Sequence, residues 1–84
     1  MKNKTLLIVR LPITGKHYDF WVPGDMCMQD ATMLIAEAMQ NIEPDYYEAT
    51  AHAALMLAAT GQIQHPGATV SQIGLVDGTE FVLV

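Results

Sequence analysis

The chain has 84 residues, nine acidic and four basic, with a formal net charge of −5. At this length residues 1–84 form one domain with a small core, because only roughly 63% of the extended chain's surface is removed from water on folding. An apolar fraction of 51% with 15% charged residues excludes a disordered chain and leaves apolar side chains over for the surface.

The N-terminus carries Lys2 and Lys4, and the apolar run after it, Leu6 to Val9, stops at Arg10. That run is too short for a signal-peptide core, and no run reaches the roughly 18 residues of a membrane span. A cytoplasmic protein without direct membrane insertion is expected. Thr5 to Leu11 is a β-branched and aliphatic strand, Pro12-Ile13-Thr14-Gly15 a turn, and Lys16 to Val22 a second strand, so the three form a hairpin. In the second strand His17, Asp19 and Trp21 share one face and Tyr18, Phe20 and Val22 the other. Arg10 sets the polarity of the first strand: Leu6, Ile8 and Arg10 point outward, Leu7, Val9 and Leu11 inward.

Pro23-Gly24-Asp25 ends the hairpin, and Asp25 is the expected N-cap of a helix. Met28, Ala31, Ile35, Ala38 and Ile42 recur at helical spacing as its apolar stripe, with Gln29, Asp30, Thr32, Glu37 and Gln40 opposite. Ile35 is expected against Val9 and Phe81. The helix stops before Pro44. Tyr46 to Ala59 contains six alanines. Its propensity is helical, yet His52 to Ala58 also fits a strand, and local signals do not decide between them. Gly61 to Gln64 reads as a short strand, His65-Pro66-Gly67 as a turn, Thr69 to Leu75 as one helical turn, Asp77-Gly78 as a tight turn, and Thr79 to Val84 as a final strand.

This order resembles the ubiquitin-like β-grasp. Ile13-Thr14-Gly15-Lys16 is similar to ubiquitin's Leu-Thr-Gly-Lys turn, Glu43-Pro44-Asp45 to its Pro-Pro-Asp, and Gly67-Ala68-Thr69-Val70-Ser71 to its Gly-Arg-Thr-Leu-Ser. Leu75, Phe81 and Leu83 fall where ubiquitin places core aliphatics. The stretch Val70 to Thr79 is similar to the end of the YukD-like proteins associated with type VII (WXG100) secretion, although Thr79 stands in place of their usual acidic residue and the Ala-rich stretch before Leu55 departs from their pattern. The resemblance covers essentially the whole chain. It implies an α+β fold, a mixed four- to five-stranded sheet with one helix packed across it, and favours a strand for Leu55 to Ala58.

It also implies a protein that binds other proteins, an accessory or regulatory component of a bacterial type VII secretion system. The alternative, from a different class, is a small non-catalytic β-grasp subunit of a multicomponent enzyme. Ubiquitin-like modifiers need an extended Gly-Gly tail, whereas this chain ends Phe81-Val82-Leu83-Val84, so a non-conjugating role is expected.

The remaining candidates point away from chemistry. Cys27 is the single cysteine, which excludes an intramolecular disulfide and a Cys-based zinc site. His17, His52 and His65 lack ligand spacing, Thr69 and Ser71 read as cap and turn residues rather than as nucleophiles beside His65, and the glycines form no phosphate loop. No enzyme activity, cofactor or metal is expected. Lys2, Lys4, Arg10 and Lys16 are the only bases and all lie in the first sixteen residues, read as solvated surface; no nucleic-acid partner is expected. The surplus of apolar residues is the functional signal. Leu6, Ile8, Ile13, Trp21 and Val82 form the expected protein-binding patch on the outer sheet face, with Met26 and Met33 as a second adaptable contact region. Exposed apolar surface and sheet edges also invite self-association, so a homodimer is among the expected states.

Overall fold

The computed structural model describes residues 3–84. In chain order its elements are β1 (Lys4–Leu11), β2 (Lys16–Pro23), α1 (Met28–Ile42), β3 (Leu55–Leu57), α2 (Val70–Ile73) and β4 (Thr79–Leu83). The four strands form one mixed sheet in the order β2-β1-β4-β3. β1 and β4 run parallel in the middle, and the two outer pairs are antiparallel.

The faces of the hairpin follow the alternation in the sequence. Leu7, Val9, Leu11 and Val22 are buried, while Arg10, His17, Asp19 and Trp21 are exposed. The turn closes through the Thr14 and Gly15 amides, both donating to the Leu11 carbonyl at 3.2 and 2.9 Å. Gly15 sits at φ 71°, where a side chain would be strained.

Asp25 is not the helix cap. Cys27 occupies that position, in extended conformation and without a side-chain cap bond. The first helical amides are satisfied from a distant loop: Met28 N–H donates to the Ala68 carbonyl at 2.8 Å and Gln29 N–H to that of Pro66 at 2.9 Å. A backbone cap of this kind meets the same need as a carboxylate and leaves no local signature.

The buried face of α1 is Met28, Ala31, Thr32, Ile35, Ala36 and Met39. The expected stripe holds as far as Ile35 and then drifts. Ala38 is half-buried and Ile42 is 48% exposed. The stripe 28-31-35-38-42 has a period of 3.5, and such a repeat rotates about 20° per heptad on a straight helix, so by its end it has turned off the core. Thr32, read as solvent-facing, is buried, and its hydroxyl donates to the Met28 carbonyl at 2.7 Å. Ile35 does join Val9 and Phe81 in one core, with Leu7, Leu55 and Leu83.

Residues 46–54 form turns and irregular chain rather than helix or strand. This segment leaves the C-terminal end of α1 and brings Ala51, Ala53 and Ala54 level with Met28 and Thr32 near its start. α1 is about 22 Å long, and a further nine-residue helix spans only about 14 Å, so a more extended path is required despite the alanines. Gln40 Oε1 accepts from the Ala49 amide at 2.8 Å and Tyr47 packs on the core, which pin the path. β3 is shorter than expected, and Ile63 contributes one isolated bridge to Met56 rather than a fifth strand.

α2 has a full capping box: Thr69 Oγ1 accepts from the Gln72 amide at 3.1 Å and Gln72 Oε1 from the Thr69 amide at 2.9 Å. β4 places Phe81 and Leu83 inward, both buried. Val84, just past β4, exchanges hydrogen bonds with Ala54 at 2.9 and 3.1 Å.

Candidate protein-interaction surface

The helix covers the inner face of the sheet, so the outer face is built from the alternate residues of four strands. Strand register places Leu6 opposite Trp21, and Ile8 between Asp19 and Glu80. Arg10 lies between His17 and Val82, and Val82 is opposite Met56. Leu6, Ile8, Val82 and Met56 are half-buried and Trp21 is 45% exposed.

The register sorts the five patch residues into two groups on the outer face and one residue on the turn. Leu6, Ile8 and Trp21 come together at one end of the hairpin. Val82 joins Met56, which the reading of the sequence missed and which period-two alternation from inward Leu55 marks as outward. Ile13 is 66% exposed in the β1–β2 turn, beyond the end of β1 at Leu11, itself about 17 Å of strand from Leu6.

A polar cluster separates the two apolar groups. Arg10 pairs with Glu80 at 2.8 Å, and His17 Nε2 lies 3.3 Å from the same carboxylate oxygen. Arg10 Nε donates to His17 Nε2 at 3.3 Å. One imidazole nitrogen cannot accept from Arg10 and donate to Glu80 at once, so the cluster has two hydrogen-bonding arrangements. These side chains are partly exposed, so the pairs add little stability; they set a charged divide across the face. At the hairpin end Glu43 accepts from Tyr18 Oη at 2.7 Å and lies 3.6 Å from Lys16 Nζ. That hydrogen bond, with desolvation and the carboxylate charge, pushes Tyr18 ionisation above its ordinary value, and burial does the same for Tyr47.

The other candidates have local partners. Thr69 is the α2 cap, and His65 Nδ1 accepts from the Gly67 amide at 3.0 Å. Cys27 is a free, half-buried cysteine preceding α1. Met26 packs against the core, and Met33 lines a groove of about 350 Å³ between α1 and the β3 edge. Among the described residues no group of His, Cys, Asp and Glu is placed to hold a metal ion, and no helix is long and apolar enough to cross a membrane.

No family model and no curated protein sequence matches the chain. Solved structures do. One chain of the MycP5-free ESX-5 inner membrane complex is similar over 98% of this chain, at 14% identity and a TM-score of 0.82, and this chain spans 21% of its length. The EccD5 ubiquitin-like domain from Mycobacterium xenopi is similar over 96% of this chain and 92% of its own, at 10% identity and a TM-score of 0.80. The ubiquitin-like domain of the Mycobacterium tuberculosis type VII secretion system protein ECCD1 is similar over 96% of this chain and 97% of its own, at 15% identity and a TM-score of 0.73. At these identities the likeness is one of fold, and the fold is a ubiquitin-like β-grasp.

Proposed function

We propose that the chain is a non-conjugating protein-interaction module, an accessory or regulatory component of a bacterial type VII secretion system that works on the cytoplasmic side. The observation that carries this reading is the match to the EccD5 ubiquitin-like domain, over 96% of this chain and 92% of that one at a TM-score of 0.80. The outer sheet face supplies the binding surface, with Leu6, Ile8 and Trp21 as one apolar anchor group and Val82 with Met56 as the other. Ile13 extends the surface onto the hairpin turn. The module acts by non-covalent docking and performs no catalysis.

The test is deletion of the gene in its host, with export of WXG100-type substrates measured in the culture medium. Export should fall, and the wild-type chain should restore it where Ile8→Asp does not. Unchanged export on deletion, in a strain whose secretion system is active, overturns the reading.

A further inference from the structure

The Ala-rich stretch before Leu55, which departs from the YukD-like pattern, lines the groove between α1 and the β3 edge. Ala51, Ala53 and Ala54 stand on one side, Met28 and Met33 of α1 on the other, and exposed Ile63 borders them. Larger side chains at the three alanines would fill the space. As it is, the groove holds about 350 Å³, within the range of binding pockets. None of its lining residues is charged or titratable, in a chain of net charge −5. A charged group brought there would lose water and meet no counter-charge. Gln29 and Gln64 offer only neutral donors and acceptors.

The groove also contains open main chain. Ala54 exchanges both of its hydrogen bonds with Val84: its amide donates at 3.1 Å and its carbonyl accepts at 2.9 Å. The peptide bonds are trans, so the N–H and C=O of each peptide unit point opposite ways. The Ala53 carbonyl and the Leu55 amide therefore point away from β4, and both residues line the groove. Two residues on, the Leu57 amide points the same way and is met by the Gln62 carbonyl at 2.8 Å. After the Met56–Ile63 bridge the chain leaves this edge for the start of α1, where the Pro66 carbonyl accepts from the Gln29 amide at 2.9 Å. The edge at Ala53 and Leu55 is left without a strand beside it.

We propose that this groove docks an uncharged, extended apolar segment of a partner protein. A main-chain amide and a carbonyl of the segment pair with the Ala53 carbonyl and the Leu55 amide, and an aliphatic side chain enters between Met33 and the alanines. A second copy of the chain does not meet that description. Its own open strand, β2, carries Lys16 and Asp19, charges that the groove cannot pair. The site lies between α1 and the β3 edge, apart from the outer-face surface proposed above, and Ile8→Asp should leave it intact.

The probe is the end-capped peptide acetyl-Ser-Ala-Leu-Ala-Ser-amide, titrated into protein labelled at its methionine methyls and backbone amides and followed by NMR. Met28 and Met33 line the groove, Met56 lies on the outer face and Met39 is buried in the core, so the methyl signals locate the peptide directly. The Met33 methyl and the Leu55 amide should shift and saturate. Lysine or aspartate in place of the peptide's leucine should each weaken binding at least about tenfold. N-methylation of its central amides, which removes the main-chain donors, should weaken it by a similar factor, about tenfold. Ala51→Phe, which fills the groove from an exposed position, and Met33→Lys, at a half-buried one, should each fold by circular dichroism and lose the shifts. Equal binding of the charged or N-methylated peptides, wild-type binding by both folded variants, shifts confined to Met56, or no saturable shift in the folded wild type overturns the proposal. Met33 shifts that depend on protein concentration without peptide assign the groove to a second copy and also overturn it.

Discussion

Cys27 and Thr69 face each other across a single antiparallel bridge, and through it the starts of the two helices are one structure. The Val70 amide donates to the Met26 carbonyl at 3.0 Å while Ala68 and Pro66 accept from the first amides of α1. Thr69→Ala removes the α2 cap and loosens this junction, and should lower stability by about 1 kcal/mol. Asp25→Ala should change it by less than about 0.5 kcal/mol, as for an exposed residue without a cap role. Urea midpoints at unchanged slope separate the two; equal losses would return the cap to Asp25.

Ile35 and Ile42 belong to one apolar stripe in the sequence, yet only Ile35 is buried. Ile35→Ala should lower stability by about 2–5 kcal/mol, enough to unfold a domain of this size under mild denaturant. Ile42→Ala should remain within about 0.5 kcal/mol of wild type. Thermal melts of both variants check the helix rotation, and a large loss at Ile42 would refute it.

On the outer face, Ile8→Asp and Trp21→Ala should both fold, by circular dichroism, and both should weaken partner binding or self-association in sedimentation. Truncating an anchor in an apolar patch removes about 2 kcal/mol or more of affinity. Wild-type association by both folded variants would mean that these side chains are scattered surface. Unfolding of both would mean that they support the sheet instead.

Tyr18 links stability to alkaline pH. Its folded ionisation lies above the ordinary 10.0, chiefly through the hydrogen bond to Glu43. The stabilisation from a raised value is fully present below the unfolded value and is lost as pH rises through the folded one. Denaturation midpoints should therefore fall above about pH 10, beyond what other groups contribute. Tyr18→Phe should lower the midpoint at neutral pH and shrink that alkaline fall. An alkaline fall unchanged in Tyr18→Phe would exclude the link.

Much of the outer sheet face was legible from local pattern. Arg10 and the alternation of β2 were enough to orient Leu6, Ile8 and Trp21, because a strand sends successive side chains to opposite faces. The Arg10–Glu80–His17 divide was not legible, since Glu80 lies 70 positions from Arg10 and reaches it only through the parallel β1–β4 pairing. The outward position of Met56 was not legible either, since β3 is three residues long, too short to carry a period.

By itself the sequence determined what short-range sterics and hydrogen bonding control: the hairpin and its turn at Gly15, the end of α1 before Pro44, the α2 cap at Thr69, and the inward and outward faces of β1, β2 and β4. The tertiary structure alone decided where α1 begins, because its cap is the main chain of residues 66 and 68. It decided the rotation of the second half of α1, because the core takes Met39 and leaves Ile42 out. It decided the path of residues 46–54, because the chain must travel back along α1, a distance that helical propensity cannot sense. It also left β2 as the open edge by placing β4 between β1 and β3, and strand order is settled by which long-range pairings bury the most apolar surface together.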